Sequence, residues 1–175
     1  MIYIIGQCFG VVAIILGVIS YQMKTQRQML FVLTATATVF CIHYLMIGAI
    51  TGMAMNAVNI LRNIAYDYRT RKGSKNMALP IVFAVIQAAM AILTWEAWYS
   101  VFIFIGVVAN TVCMSFTNAQ RLRASILVTS VFVFTYDAFA FSIGGMIFES
   151  MSFASAGIGI FRNKASTDKL PKSDN

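Results

Sequence analysis

Long runs of apolar residues alternate along the chain with short polar segments. Each run is long enough to form a helix, and a helix satisfies its own backbone hydrogen bonds inside a lipid bilayer. The pattern therefore predicts an all-α membrane protein with seven transmembrane helices. Their expected positions are roughly 2–21, 29–48, 52–68, 77–94, 97–116, 125–143 and 145–162.

The composition supports this prediction, because 59% of the 175 residues are hydrophobic and only 11% are charged. Charged residues make up about a quarter of a typical soluble domain. A spanning helix needs about 20 residues, so seven helices leave no room for a soluble catalytic domain. The sequence also has no phosphate-binding loop and no cluster of metal ligands. We therefore expect no enzyme activity, no cofactor and no metal ion.

The formal net charge of +7 is concentrated in the polar segments. Every second segment is basic, whereas the segments near 49–52, 94–97 and 143–146 carry no Lys or Arg. Basic loops stay on the cytoplasmic side of a membrane, so we expect a multi-pass protein with its N-terminus outside and its C-terminus inside. This distribution argues against nucleic acid as a partner. The basic residues of these segments are Lys24, Arg27, Arg69, Arg71, Lys72, Lys75, Arg121 and Arg123, followed in the tail by Arg162, Lys164, Lys169 and Lys172.

An internal repeat divides the chain. The segment QRQMLFVLTATATVFCIHYLM aligns without gaps with QRLRASILVTSVFVFTYDAFA, which sets His43 opposite Asp137. The layout of one helix, a basic loop and two helices joined by a tight neutral turn also repeats. Such triplets, separated by one span, form a parallel repeat with a binding site at its interface. The predicted units are a first triple-helix repeat at 1–68, a basic loop and linker helix at 69–96, a second repeat at 97–164 and a disordered cytoplasmic tail at 165–175.

The loop GVISYQMKTQRQML and the later helix NAVNILRNIAYDYR resemble a PQ-loop repeat, although Tyr21-Gln22 stands where the pattern has Pro-Gln. The 3+1+3 layout is similar to that of the SWEET sugar transporters. That resemblance implies transport, with an asparagine of the third helix, Asn56 or Asn59, in contact with the substrate. Nearly the whole chain resembles the YgjV-type bacterial inner membrane proteins. That resemblance implies the bacterial inner (plasma) membrane and no particular activity.

Polar side chains follow one face of the third predicted helix. Its stripe of Asn56, Asn59, Asn63 and Tyr66 falls within about 80° of arc. The corresponding positions of the seventh helix carry Glu149 and Ser152. Asparagine offers both donors and acceptors, which suits sugar hydroxyls or nucleobase edges. We predict a central polar cavity whose substrate-binding residues are Asn56, Asn59, Asn63, Asn110 and Ser152.

Ionisable residues inside a membrane are costly and mark functional sites by default. His43 and Asp137 fall in the outer third of their predicted helices, and Glu149 lies slightly nearer the outer boundary. We predict that these three residues serve proton coupling or gating, with His43 facing Asp137 and the asparagine stripe and not lipid. The alternative is a hydrogen bond from His43 to Asp137 or Glu149 that only fixes the packing of helices.

The function that these features favour is a SWEET-like transporter or facilitator for a small polar solute. The alternative is a receptor or assembly partner that transports nothing, in which the polar residues hold helices together. The expected partners are the lipid bilayer, the solute and a second copy of the chain. Gly6, Gly10 and Gly17 predict a close contact of the first helix, either with the linker helix or with that second copy.

Overall fold

The computed structural model describes residues 2–22, 26–73, 78–114 and 119–167. Within these ranges the chain forms seven helices and no strand. All seven predicted helices are confirmed, with the largest differences at the start of the sixth and the end of the seventh. The helices are α1 (Ile2–Gln22), α2 (Gln26–Ile47), α3 (Ile50–Arg71), α4 (Ala78–Leu93), α5 (Ser100–Cys113), α6 (Ala119–Phe139) and α7 (Ile143–Thr167).

The predicted disordered tail belongs only in part to the described residues. Helix α7 continues through 165–167, and the remainder of the tail, from 168 onward, lies outside them. Four of the basic residues, Lys24, Lys75, Lys169 and Lys172, also lie outside the described ranges.

Six of the helices form a ring. Within each predicted triplet, consecutive helices pack on one another, α1 on α2 and α2 on α3, then α5 on α6 and α6 on α7. Two further contacts, α1 with α7 and α3 with α5, join the triplets. The linker helix α4 packs on α3 and α5 and so covers one of the two seams between the triplets.

In each triplet a tight turn joins the second helix to the third. Gly48, between α2 and α3, and Phe141, between α6 and α7, both have a positive φ, of 83° and 53°. Glycine adopts this conformation freely, whereas a side chain with a Cβ is strained in it. The Phe141 carbonyl accepts hydrogen bonds from the Tyr3 hydroxyl (2.8 Å) and the Gln7 amide (3.0 Å). These bonds from α1 fix the strained turn.

The hydrogen bonds of the two turns are the same, and they correct the predicted register. The Ala49 N–H donates to the Tyr44 carbonyl (2.9 Å), and the Ser142 N–H donates to the Asp137 carbonyl (2.8 Å). The turns therefore set Tyr44, and not His43, opposite Asp137. The ungapped alignment is wrong here because it follows similar side chains, whereas the turn is defined by backbone bonds.

The small-residue face of α1 packs inside the chain. Gly10 lies against Gly144, because a Cβ added at Gly10 would stand 2.9 Å from the Gly144 Cα. Gly17 lies against the ring of Phe148, also on α7, and Gly6 lies against α2. The expected partners of this face, the linker helix or a second copy, are replaced by α7 and α2. The described parts of α1 and α4 make no contact.

The described helices expose apolar side chains and bury polar ones. Ile4, Phe31, Ile92 and Ile158 are all largely exposed on different helices, whereas thirteen polar or charged residues besides Asp137 are buried. Judged by length and composition, one segment of the described residues, Leu30–Ile47, is long and apolar enough to cross a membrane. Shorter apolar segments of 10–17 residues lie in α1, α4, α5, α6 and α7.

Candidate functional site

Polar side chains, most of them buried, form two clusters. The first, called here the Asp137 cluster, lies near the two tight turns. The second, called the Arg62 cluster, lies where α3, α4 and α5 meet. The Asp137 cluster consists of His43, Tyr44, Glu96, Tyr136, Asp137 and Ser142. The Arg62 cluster consists of Asn59, Arg62, Asn63, Gln87, Asn110 and Thr111.

Asp137 is completely buried between the two triplets. The Tyr44 hydroxyl, on α2, donates to its Oδ1 at 2.5 Å. Its Oδ2 has no hydrogen-bond partner among the described residues. Gly145 lies directly beside this carboxyl, and a Cβ at that position would collide with both of its oxygens. The glycine therefore makes room for a carboxyl group that is only half satisfied.

His43 lies inside the bundle and is completely buried, so the prediction that it avoids lipid is confirmed. Its Nδ1 is 2.8 Å from the Gly6 carbonyl of α1, and its Nε2 is 2.8 Å from the Ser142 hydroxyl. Because a carbonyl only accepts, Nδ1 carries a proton, and in the neutral ring Nε2 accepts from Ser142. The Ser142 hydroxyl also lies beside the Asp137 carboxyl. The expected direct bond from His43 to Asp137 is therefore replaced by an approach through Ser142.

Glu96 ties the α4–α5 connection to the start of α3. Its Oε1 accepts from the Ile50 N–H at 2.5 Å, which satisfies one of the free donors of the first turn of α3. Its Oε2 is 3.5 Å from the Tyr136 hydroxyl, and that hydroxyl accepts from the Gly52 N–H at 2.8 Å. Sequence reasoning missed this role. The available signal was that Glu96 is the only charged residue in the neutral connections.

Arg62 is the centre of the second cluster and is only 4% exposed. Its Nη1 donates to Asn110 Oδ1 (3.1 Å) and Thr111 Oγ1 (2.8 Å) on α5. Its Nε and Nη2 donate to Asn63 Oδ1 at 3.3 and 3.1 Å. All of these acceptors are neutral. The guanidinium therefore joins α3 to α5 across a seam between the triplets.

The cluster continues onto the linker helix. The Thr111 hydroxyl lies 2.9 Å from Gln87 Oε1, and Gln87 Nε2 donates to Asn59 Oδ1 at 3.2 Å. The Tyr66 hydroxyl donates to the Thr111 carbonyl at 2.9 Å. Helix α4 therefore contributes a side chain to the polar interior as well as covering the seam.

The structure brings together some of the predicted binding residues and separates others. Asn63 and Asn110 meet on Arg62, and Asn59 joins them through Gln87. Asn56 donates to the Gly52 carbonyl of its own helix at 2.9 Å.

The two predicted residues of α7 lie apart from the asparagines. Glu149 is half-buried beside the Ser130 hydroxyl, and Ser152 is buried. Across the described ranges α3 and α7 make no contact. The two stripes of the third and seventh helices therefore do not face each other directly.

Sequence reasoning also missed Arg62, which was not among the predicted site residues. The helix continues to Arg71, so Arg62 lies near its middle, about 18 Å from Ile50. The available signal was spacing, since Arg62 and Tyr66 are one turn apart on a buried face.

Comparison with known proteins identifies a family. The family model described as bacterial inner membrane protein, Imp-YgjV, matches residues 4–167 and so includes both polar clusters. No curated protein and no solved structure gives a significant match. The matched region extends from the start of α1 to the end of α7. The chain therefore belongs to the YgjV family of bacterial inner membrane proteins.

Proposed function

We propose that this inner membrane protein is a transporter or facilitator for a small polar solute of sugar-like or nucleoside-like size, and that it is not an enzyme. In this proposal all seven helices span the membrane, with the N-terminus outside and the C-terminus in the cytoplasm. Helices α1–α3 and α5–α7 are two parallel repeats joined by α4. The matching contacts between triplets and the matching hydrogen bonds of the two turns support this arrangement.

The observation that carries the proposal is the buried carboxyl of Asp137 between the triplets, with one oxygen unpartnered. A buried polar group without a partner destabilises the fold by about 1–3 kcal/mol. A membrane protein keeps such a group where a proton, solute or moving helix becomes its partner. Asp137 also lies where the triplets meet, so relative movement of the triplets would change its contacts.

The Asp137 cluster is proposed as a gate near the outer ends of α2 and α6. Tyr44 and Asp137 join the two triplets directly, and His43 with Ser142 joins them a second time. Gaining or losing a proton at Asp137 or His43 would change both bonds. Glu149, on the neighbouring turn of α7, adds a second carboxyl close to Asp137. These groups could couple solute movement to a proton.

A second candidate function is favoured by a specific observation. The amides of Asn59, Asn63 and Asn110 are all hydrogen-bonded to other side chains. Such mutual pairing is what a receptor or assembly partner without transport would use to hold its helices. In that case loss of Asn59 would lower stability without changing the binding of any solute.

A thermal-shift screen of purified protein in detergent tests the proposal. Sugars, amino acids, nucleosides and polyamines are added at two pH values to wild type, Asn59→Ala and Asp137→Asn. A ligand that binds the folded state raises the unfolding temperature. We expect at least one class to do so in wild type and less in Asn59→Ala. No shift in any class, with both variants merely less stable, would favour the second candidate.

A further inference from the structure

The positive charge of Arg62 has no acidic partner in the part of the chain that the structure describes. Its four hydrogen bonds all go to the neutral side chains of Asn63, Asn110 and Thr111. The only acidic residue of α3, Asp67, pairs instead with Arg71 at 2.6 Å and Arg27 at 3.8 Å. The guanidinium is therefore a buried, hydrogen-bonded but uncompensated cation.

Such a charge is costly to keep inside a membrane protein. A guanidinium is effectively always charged, and burial penalises a charge unless an opposite charge neutralises it. A purely structural role at this position could be filled by a neutral amide, since each partner of Arg62 already offers hydrogen-bonding groups. A buried guanidinium with only neutral partners is therefore a candidate anion-binding group.

We propose that the Arg62 cluster binds the oxyanion of a small solute, a carboxylate or a phosphate. The planar fork of a guanidinium matches two oxygens of either group. Asn63 and Asn110 contact Arg62 through their carbonyl oxygens, and each amide also carries an NH₂ group that can donate to a third oxygen. Three side chains from two helices therefore surround one anion.

The position of the cluster gives this anion a role in transport. Arg62 holds α3 to α5 at the seam that α4 covers. An anion that takes over the guanidinium donors would weaken the direct link between the triplets. This role rests on the proposed function, whereas binding of the anion does not.

Three compounds with the same carbon frame separate charge from shape. Glycerol is neutral, glycerate carries a carboxylate and glycerol 3-phosphate carries a phosphate. Each is titrated at millimolar concentration and constant ionic strength into detergent-purified protein, and the unfolding temperature is recorded. We expect glycerate or glycerol 3-phosphate to raise it in wild type, and glycerol to leave it unchanged. Inorganic phosphate then tells whether the phosphate group alone is sufficient.

Variants assign the response to Arg62. Arg62→Gln should abolish it, and Arg62→Lys, which keeps the charge without the fork, should weaken the apparent affinity about tenfold. Lys72→Gln removes the same charge from an exposed site at the C-terminal end of α3 and should respond like wild type. If Arg62→Gln does not fold, the wild-type series and Arg62→Lys still show whether the response depends on the anion and on the guanidinium.

Three outcomes would overturn the inference: no shift with any of the anions, an equal shift with glycerol, or an equal loss in Lys72→Gln. Entry of each compound into proteoliposomes separates this inference from the proposed function. Anion binding without entry would support the anion site and contradict transport. Entry of neutral solutes without any anion response would support transport and contradict the anion site.

Discussion

At the scale of single residues, two of the buried ionisable groups, Arg62 and Asp137, differ in how far neighbouring side chains satisfy them. Arg62 makes four hydrogen bonds, all to neutral acceptors. Asp137 has a partner on one oxygen only. The two groups lie in separate clusters and do not neutralise each other. In the proposals above, each one is completed by a partner that is not part of the fold.

Tyr44→Phe removes the hydroxyl that donates to Asp137 Oδ1, whereas Oδ2 already has no hydrogen-bond partner among the described residues. We expect the free energy of unfolding to fall by about 1–3 kcal/mol, because a buried acceptor loses its donor. Unfolding by SDS, followed by circular dichroism, measures the change. Tyr68→Phe makes the same chemical change on an exposed side chain and should have little effect. Equal stability of the two variants would show that the Tyr44 bond contributes nothing.

The sequence predicts part of the candidate site. Asn59 and Asn63 are near one another because helical spacing places both on one face of α3, and Asn110 of α5 joins them through Arg62. The role of Arg62 was not predicted, since its contacts depend on how α3 meets α5 and not on α3 alone. The contact of His43 with Ser142 was also not predicted, because serine in a turn gives no distinctive pattern.

At the scale of elements, α1 and α7 approach so closely that backbone meets backbone. A Cβ at Gly144 would overlap the Gly10 backbone at 2.6 Å, whereas one at Gly157, on the same helix, would meet nothing within 4 Å. The seam between α1 and α7 therefore depends on glycine at one position of α7 and tolerates a side chain at another.

Gly144→Ala should separate α1 from α7 and lower the free energy of unfolding by about 1–3 kcal/mol. Gly157→Ala, the matched control, should be neutral or stabilising by up to about 1 kcal/mol, because alanine favours the helix. SDS titration of both variants measures the difference. If Gly144→Ala proved as stable as Gly157→Ala, the close approach of the two helices would be wrong.

The α6–α7 turn stores strain at Phe141, whose φ is 53°. We expect Phe141→Gly to be more stable than Phe141→Ala by about 1 kcal/mol, because only glycine adopts this conformation freely. The same pair of substitutions at Phe153, an exposed position inside α7, should give the opposite order. Finding alanine better than glycine at 141 would contradict the conformation of the turn.

At the scale of the whole molecule, the helices could be predicted but their exact pairing could not. Apolar runs long enough to span a bilayer leave few alternatives to helices, so all seven were found. The predicted alignment of the two triplets was off by one residue, at His43 and Tyr44, because backbone bonds in the turns set the register. The predicted partners of α1 were wrong because small residues indicate a close contact without indicating which helix makes it.

The proposed orientation predicts which loops face the outside of the cell. In a chain with Cys8, Cys41 and Cys113 replaced by serine, Trp95→Cys should react with a membrane-impermeant maleimide in intact spheroplasts. Lys72→Cys should react only after the membrane is opened, because positive loops stay in the cytoplasm. Both positions are exposed, so access of reagent through the bilayer is the only difference. The reverse pattern would invert the proposed topology.

The most direct test of the proposed function is solute entry into proteoliposomes, followed by stopped-flow light scattering. Vesicles shrink when mixed with a concentrated solute and swell again as it enters. We predict faster re-swelling than in empty liposomes for at least one small polar solute, slowed by Asp137→Asn but not by Asp67→Asn, the same change in a half-buried ion pair near the C-terminal end of α3. Folded protein that speeds the entry of no solute would contradict transport and leave helix packing as the role of the polar interior.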